Sequence, residues 1–235
     1  MINLMRKHIN IIVITLCSLF IWNCRGEIIP NEEDLADYGW VLYTRGDYND
    51  AREWFRDAVK KDSYYFDGYN GLGWSLGNLR QPDSSIYYFQ KYLSKDSSFV
   101  RHITMDFYAG LAFAYNAVGK DDSARIYCTN FDANINQVEG ESGLWSFSHN
   151  TENNEINYLD VWLIEAISNF RLASFQNCKS RISEIYNQYD SDNNLKVVPP
   201  PESVVTLIND VDIETVEGRA DLTQHLFYIQ QTIQY

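Results

Sequence analysis

Apolar side chains recur at every third or fourth position through residues 32–189, and short polar turns interrupt the pattern at intervals. The stretch YGWVLYTRGDYNDAREWFRDAV, residues 38–59, contains two such segments on either side of Gly46 and Asp47. This spacing is typical of α-helices with one buried face, and glycine suits the turn between them. The stretch therefore predicts a helical hairpin.

The hairpin pattern returns further along the chain. Tyr38-Gly39 is followed 34 residues later by Leu72-Gly73, and Leu111-Ala112 comes 39 residues after that. A weaker fourth copy begins near Tyr158. Because a single hairpin cannot bury its apolar face, repeated hairpins are expected to stack on one another. The predicted units are residues 32–65, 66–99, 105–135 and 158–189, with an insertion at 136–157.

Small and large residues keep the same register from unit to unit, with Ala51, Ser85 and Ala124 at one position and Phe55, Phe89 and Cys128 at another. The combined pattern resembles the tetratricopeptide repeat, which has Leu-Gly and an aromatic residue in its first helix and Ala-x-x-x-Phe-x-x-Ala in its second. The resemblance covers residues 32–189. It implies an all-α fold, a right-handed α-solenoid of about four helical hairpins.

Two segments follow the repeats. Residues 190–214 include three successive prolines at positions 199–201, and since proline ends helices they predict a linker. Residues 215–235 contain the amphipathic stretch RADLTQHLFYIQQTIQ, with Thr215 or a neighbour as the helix cap. A solenoid needs a terminal element to cover its last apolar face. We therefore predict a C-terminal capping helix.

In tetratricopeptide arrays the first helix of each unit lines a concave groove, and the resemblance carries that groove onto this chain. One groove position is apolar in every unit, with Trp40, Trp74, Phe113 and Ile167. A second is acidic in every unit, with Glu33, Asp67, Asp106 and Asp160, and polar Tyr43, Asn70 and Asn116 lie between. Aromatic rings beside polar groups suit peptide binding. Packing between helices is the alternative for the aromatic residues, and capping of helix starts is the favoured explanation for the acids.

The first 23 residues have the pattern of an export signal, with Arg6 and Lys7 ahead of an apolar run from Ile9 to Trp22. A run of about 14 residues is typical of a signal-peptide core and is short for a membrane span. It is followed by Cys24, which resembles the acylated cysteine of bacterial lipoproteins. An ordinary signal peptide or an uncleaved anchor is the alternative. We expect residues 1–23 to be removed, Cys24 to be lipidated, residues 24–31 to act as a tether, and the protein to be a periplasmic or outer-membrane lipoprotein.

Composition and charge narrow the range of partners. Hydrophobic residues make up 45% of the chain and aromatic residues 15%, which is enough for a folded core. Residues 24–235 carry 17 basic and 32 acidic side chains, a net charge of −15. Such a surface repels nucleic acid and bare anionic membrane and suits basic or neutral partners. We therefore expect no nucleic-acid partner and a membrane link only through the lipid.

Candidate catalytic and metal motifs are weak. Residues 73–77 spell Gly-x-Ser-x-Gly, but the nucleophile elbow needs a preceding strand, and these residues fall inside a predicted helix. The acidic stretch at 190–201 begins like a calcium loop but lacks that loop's glycine and its final glutamate. Cys128 and Cys178 fall at apolar helical positions, which favours buried thiols over a possible disulfide. We expect no enzyme activity, no metal and no cofactor.

The favoured function is a non-enzymatic, membrane-tethered scaffold that holds a segment of another protein of the bacterial cell envelope in its groove. The alternative is an accessory lipoprotein that binds a glycan or small ligand, with Trp40, Trp74 and Tyr43 as stacking platforms. Binding of a peptide is expected to be sensitive to substitutions in several units, and binding of a sugar to substitutions in one.

Overall fold

The computed structural model describes residues 29–95, 103–135, 145–151, 155–187, 197–202 and 205–233. The predicted signal peptide, Cys24 and the candidate calcium loop up to residue 196 lie outside these ranges. Within them there are nine α-helices, one short 3-10 helix and no strand longer than an isolated bridge. The helices are α1 (Glu32–Thr44), α2 (Tyr48–Lys61), α3 (Phe66–Asn78), α4 (Pro82–Leu93), α5 (Met105–Ala117), α6 (Asp121–Ile135), α7 (Tyr158–Arg171), α8 (Phe175–Asn187) and α9 (Val216–Ile233).

The helices form four hairpins that stack in chain order. Each helix from α1 to α8 packs on the next, and the odd-numbered helices α1, α3, α5 and α7 also pack directly on one another. The odd-numbered helices therefore form the tighter layer, which is the concave side of the array. The predicted all-α solenoid with a terminal helix is confirmed.

An aromatic ring in each of the first two hairpins joins successive odd-numbered helices. The ring of Phe55 in α2 lies against Gly39 of α1 and Gly71 of α3, where added Cβ atoms would stand only 2.8 and 2.3 Å from it. The ring of Phe89 in α4 lies in the same way against Gly73 and Gly110, with corresponding distances of 2.2 and 2.5 Å. Glycine at these four positions therefore leaves the space that the two rings fill.

All four hairpins turn with the same hydrogen-bonded cap. The turn residue has a left-handed backbone and donates three residues back, and the next residue donates five residues back. This pair of bonds is the Schellman motif. Glycine, which adopts positive φ without strain, fills the position in two hairpins, and the four turn residues are Gly46, Arg80, Gly119 and Ala173.

The last helix covers the open end of the array. Helix α9 packs on α7 and α8, and the Thr215 hydroxyl accepts a hydrogen bond from the Gly218 amide, as predicted for its cap. His225 is 1% exposed and lies between Tyr186 of α8 and the carbonyl of Thr206. Since a carbonyl only accepts, Nε2 of His225 carries the proton and Nδ1 accepts from the Tyr186 hydroxyl.

A cluster of charges joins the third and fourth hairpins. Arg181 of α8 forms ion pairs with Asp132 of α6, Glu165 of α7 and Glu184 of its own helix. Its guanidinium also lies over the ring of Trp162, 4.9 Å from the centroid, and the Trp162 indole donates to Asp132. One side chain thus holds three successive helices together.

Candidate binding groove

The predicted apolar groove position is repeated on successive odd-numbered helices. Trp40 lies in α1, Trp74 in α3, Phe113 in α5 and Ile167 in α7. The two tryptophans are buried, with 4% and 5% of their surface exposed, whereas Phe113 and Ile167 are half-buried. Trp74 and Phe113 are in ring contact, with centroids 5.9 Å apart.

The tryptophans are buried because a piece of the insertion lies on them. Phe147 is 3% exposed and stacks on Trp74 with centroids 4.1 Å apart. It also meets Trp40 and Tyr43 edge-on, at 6.1 and 5.9 Å. His149 stacks on the other tryptophan, Trp40, at 3.8 Å and 13°. Trp145 and Phe147 of the insertion therefore fold back onto the repeats, with Trp145 in contact with Phe131 of α6.

Main-chain hydrogen bonds near the start of α7 hold residues 145–147 in an extended conformation, and residues 148 and 149 follow as a turn. The Phe147 amide donates to the Ile156 carbonyl at 2.8 Å, and the Tyr158 amide donates to the Trp145 carbonyl at 3.0 Å. The side chain of Asn150 brackets Ile156, donating to its carbonyl and accepting from its amide. Because main-chain bonds fix the extended backbone, alternate side chains point to opposite sides, and Phe147 faces the groove.

Asp106 accepts hydrogen bonds from two side chains of the same segment. Its carboxylate accepts from the Trp145 indole at 2.8 Å and from the Ser148 hydroxyl at 2.7 Å. The main-chain carbonyl of Asp106 accepts from the Trp74 indole at 3.1 Å. Asp106 therefore joins the groove wall to its occupant. It lies in the first turn of α5, as the sequence predicts, but the side chain that caps this helix is that of Thr104.

Asp67 is also bound to a tryptophan. Its carboxylate accepts from the Trp40 indole at 2.7 Å, so it joins the first hairpin to the second and does not cap α3. Burial raises the pKa of Asp67 even though hydrogen bonds from Trp40 and Asn70 act in the opposite direction. The neighbouring amide of Asn70 is 3% exposed, and its oxygen has no hydrogen-bond partner among the described residues.

The other two acids differ from this pair. Asp160 forms a capping box with Asn157, whose main-chain N–H donates to the Asp160 carboxylate at 2.8 Å. This confirms the capping interpretation for Asp160. Burial raises the pKa of Asp160 to about 6. Glu33 is exposed in the first turn of α1. The four predicted acids therefore do not form one continuous acidic surface.

The polar groove positions are tied to neighbouring helices. The Tyr43 hydroxyl accepts from Asn78 of α3 at 2.7 Å, and burial raises the pKa of Tyr43. Asn116 of α5 donates to Ser168 of α7 at 3.2 Å. Sequence reasoning did not find Asn78, Ser148 or His149, because the first contacts a side chain of another unit and the other two lie in an insertion without repeat register.

Beside this occupied part, the concave side has an open cavity of about 560 Å³. Its apolar walls are side chains from α3, α4, α5, α7 and the insertion, namely Trp74, Pro82, Phe89, Phe113, Ala114, Ile164 and Ile156. Small residues of α3 and α5 make room for it, namely Gly73, Gly77, Gly110 and Ala117. Its polar groups are Asn78, Asn116, Ser85 and Arg80. A mostly apolar cavity of this size with a few polar groups is typical of a ligand site.

The catalytic motif lacks the geometry it requires. Ser75 is fully buried in the middle of α3, with its hydroxyl unpartnered among the described residues. Cys128 and Cys178 are free, buried thiols, as favoured, and burial raises both pKa values. Among the described residues, no group of three or more acidic, histidine or cysteine side chains is arranged to hold a metal. No helix in the described ranges is both long and apolar enough to cross a bilayer.

Comparison of the chain with protein-family models and with curated proteins found no match.

Proposed function

We propose that this protein is a non-enzymatic scaffold, tethered to a membrane of the bacterial envelope through Cys24, that holds a segment of another envelope protein on its concave side. The observation that carries the proposal is the open apolar cavity beside Trp74 and Phe113. Monomeric proteins seldom leave a large apolar concavity open unless something binds there.

The neighbouring contacts support a peptide as the ligand. The chain's own residues 145–147 already lie on the concave side as an extended segment, followed by a turn at residues 148 and 149, and ring stacking and hydrogen bonds to Asp106 hold them there. This surface therefore accommodates an extended chain with apolar side chains. The resemblance of the repeat to tetratricopeptide units, which line such grooves with their first helices, supports the same proposal.

The net charge of the chain limits the charge that the partner segment can carry. With a net charge of −15 outside the first 23 residues, the surface favours approach of a basic or neutral segment. We therefore propose a partner segment with apolar side chains for the cavity and no excess of acidic residues.

The cavity is tested by filling it at Gly77. A Cβ added there would find only the Ser85 hydroxyl, 3.9 Å away, and Gly77 lines the cavity, so the Gly77→Leu side chain is expected to fill part of it. The matched control is Thr129→Leu, which adds leucine at an exposed position of α6 outside the cavity. Cross-linked capture from native membranes should recover the same envelope protein with wild type and Thr129→Leu, and lose it with Gly77→Leu. Equal recovery with all three would contradict the proposal.

A small ligand or glycan is the second candidate, favoured by the volume of the cavity, which lies within the range of small-molecule sites. Because Phe147 and His149 cover Trp40 and Trp74, a sugar would stack elsewhere, against Phe113. Changes at the cavity alone should then affect binding. A peptide, by contrast, should also lose affinity when units beyond the cavity are changed.

A further inference from the structure

The groove formed by Trp40, Tyr43, Trp74 and Asp106 contains a ligand-like segment of the chain itself. Residues 145–149 read Trp-Ser-Phe-Ser-His. Phe147 fills the space between Trp40, Tyr43 and Trp74, and His149 lies flat on Trp40. Below we call the four groove residues the aromatic subsite.

The contacts define the chemistry that this subsite selects. It takes one aromatic ring deep between two indoles and a flat ring on the outer face of Trp40. It also takes two hydrogen-bond donors on the Asp106 carboxylate, one from an indole and one from a hydroxyl. A carboxylate in place of either donor would be repelled by Asp106.

The flat ring is held as a neutral group. Burial lowers the pKa of His149, whereas the carboxylates of Asp106 and Asp37 act to raise it. Its Nδ1 is 2.8 Å from the Ser148 hydroxyl. Stacking of neutral aromatic rings with a nearby donor pair suits an uncharged, aromatic-rich peptide.

We propose that the aromatic subsite is an interaction surface for a partner segment with aromatic residues at alternate positions, flanked by hydroxyl or indole donors and free of acids, and that residues 145–149 occupy it as an internal competitor. The inference rests on the proposed function, because it names the kind of segment that the scaffold holds and adds a second site beside the cavity.

Competition follows from the tether between the segment and the groove. A covalently linked segment has an effective concentration in the millimolar range for short flexible links. The apparent affinity of a free partner is therefore its intrinsic affinity multiplied by the fraction of molecules in which the subsite is vacant. Weakening the internal segment should then strengthen binding of an added peptide.

The test uses a synthetic peptide of residues 145–151 and two matched variants. Ser148→Asp places a carboxylate against the Asp106 carboxylate, which accepts from the Ser148 hydroxyl at 2.7 Å, and it replaces no aromatic residue. Ser146→Asp makes the same change two residues away, where the hydroxyl contacts Asn150 and the Ile156 carbonyl instead. Binding is measured by calorimetry, with each variant shown by circular dichroism to keep its helical content.

The peptide should bind Ser148→Asp at least tenfold more tightly than it binds wild type or Ser146→Asp. The same peptide with alanine at the Phe147 position should not bind. Adding Trp74→Ala to Ser148→Asp should abolish binding. Absence of binding to folded Ser148→Asp, or equal binding to both peptides, would overturn the inference.

Failure of this test is distinguishable from failure of the proposed function. The peptide measurement depends on the aromatic subsite, whereas capture with Gly77→Leu depends on the cavity. If Gly77→Leu loses the captured partner and the peptide does not bind, the proposed scaffold function stands and the internal-competitor inference is wrong. If the peptide binds but capture does not depend on the cavity, the internal-competitor inference stands and the cavity is not the site of the scaffold function.

Discussion

At the scale of single residues, the contact of a ring with a helix backbone decides how closely the hairpins pack. Phe89 lies on Gly73 and Gly110, and Phe55 on Gly39 and Gly71. In the third hairpin Ala112 replaces the glycine and Cys128 replaces the ring, and the Cys128 thiol reaches the Val161 carbonyl of α7. The ring and the glycine are thus replaced together.

Gly73→Ala should therefore destabilise the protein strongly. An added Cβ would stand 2.2 Å from the Phe89 ring, and overpacking of a full core typically costs about 1–3 kcal/mol, with this site expected near the upper end. The free energy of unfolding, measured by urea denaturation, should fall accordingly.

Gly77→Ala is the control in the same helix. The new methyl group meets only the Ser85 hydroxyl, at 3.9 Å, and replacing a helical glycine by alanine gains about 0.5–1 kcal/mol. Similar effects of the two substitutions would show that helix propensity, not the ring contact, decides the result.

His225 should make the docking of α9 sensitive to pH. Burial lowers its pKa, although the Thr206 carbonyl and Asp221 act to raise it. A histidine whose folded pKa lies below its unfolded value stabilises the fold fully above about pH 6.5, and this stabilisation is lost as the pH falls below that value. Protonation also removes the acceptor of the Tyr186 hydroxyl, and an unsatisfied buried donor costs about 1–3 kcal/mol.

The measurement is the melting temperature between pH 8 and pH 5 for wild type and His225→Gln. The stability advantage of wild type should shrink as the solution is acidified. A difference that stays constant with pH would contradict the assignment, since His149 and the carboxylates titrate in both proteins.

At the scale of elements, Arg181 connects α6, α7 and α8. Its removal by Arg181→Met leaves the carboxylates of Asp132 and Glu165 without their cation. Breaking a buried ion pair from one side is strongly unfavourable, and because these side chains remain 13–25% exposed we expect a loss of about 2–4 kcal/mol at pH 8. Burial already raises the pKa of Glu165, and removing the Arg181 charge raises it further, so the loss should become smaller as the pH is lowered and this carboxylate takes up a proton.

Arg171→Met is the matched control. Arg171 is paired with Asp121 at 3.3 Å but is 48% exposed, and exposed pairs contribute about 0–1 kcal/mol. Denaturation of both variants at pH 8 and pH 5 separates the two cases. An equal, pH-independent loss would mean that packing of the long side chain, not its charge, joins the helices.

The hairpins themselves could be predicted from local sequence. The recurrence of Tyr38-Gly39 as Leu72-Gly73 predicts the position of the first helix in each hairpin. This prediction is possible because repeat spacing and helical periodicity are properties of the local sequence. The groove could be predicted only in part. The spacing placed Trp40 and Trp74 on one side, but Phe147 covers them from more than 70 residues away in sequence, and no periodicity records such a contact. Asp67 and Asp106 look like first-turn acids in the sequence, and only the fold shows the indoles that they bind.

At the scale of the whole molecule, residues 145–149 join hairpins that are not neighbours. A solenoid is stabilised mainly by contacts between adjacent units. Here Phe147 contacts Trp40 in the first hairpin and Trp74 in the second. The Trp145 carbonyl of the same segment accepts from the Tyr158 amide at the start of the fourth. The array is therefore closed along its concave side by a long-range contact.

Phe147→Ala should lower both stability and cooperativity. Truncating a buried phenylalanine costs about 3–5 kcal/mol, and loss of the long-range contact should let the first hairpin open separately. Hydrogen exchange should then show faster exchange in α1 and α2 than in α5. Uniform acceleration across all helices would mean that the array still opens as one unit.

The ring contacts of Phe55 and Phe89 have a consequence for how a gene of this kind can lengthen. Each ring belongs to one hairpin in sequence and rests on glycines of two. A duplication that copies a hairpin from its first helix to its second would separate the ring from one of the two glycines that it contacts. A duplication that starts at a second helix and ends after the next first helix would separate the ring from the other glycine. A new unit can therefore pack in this way only where the helix at its junction supplies the missing glycine.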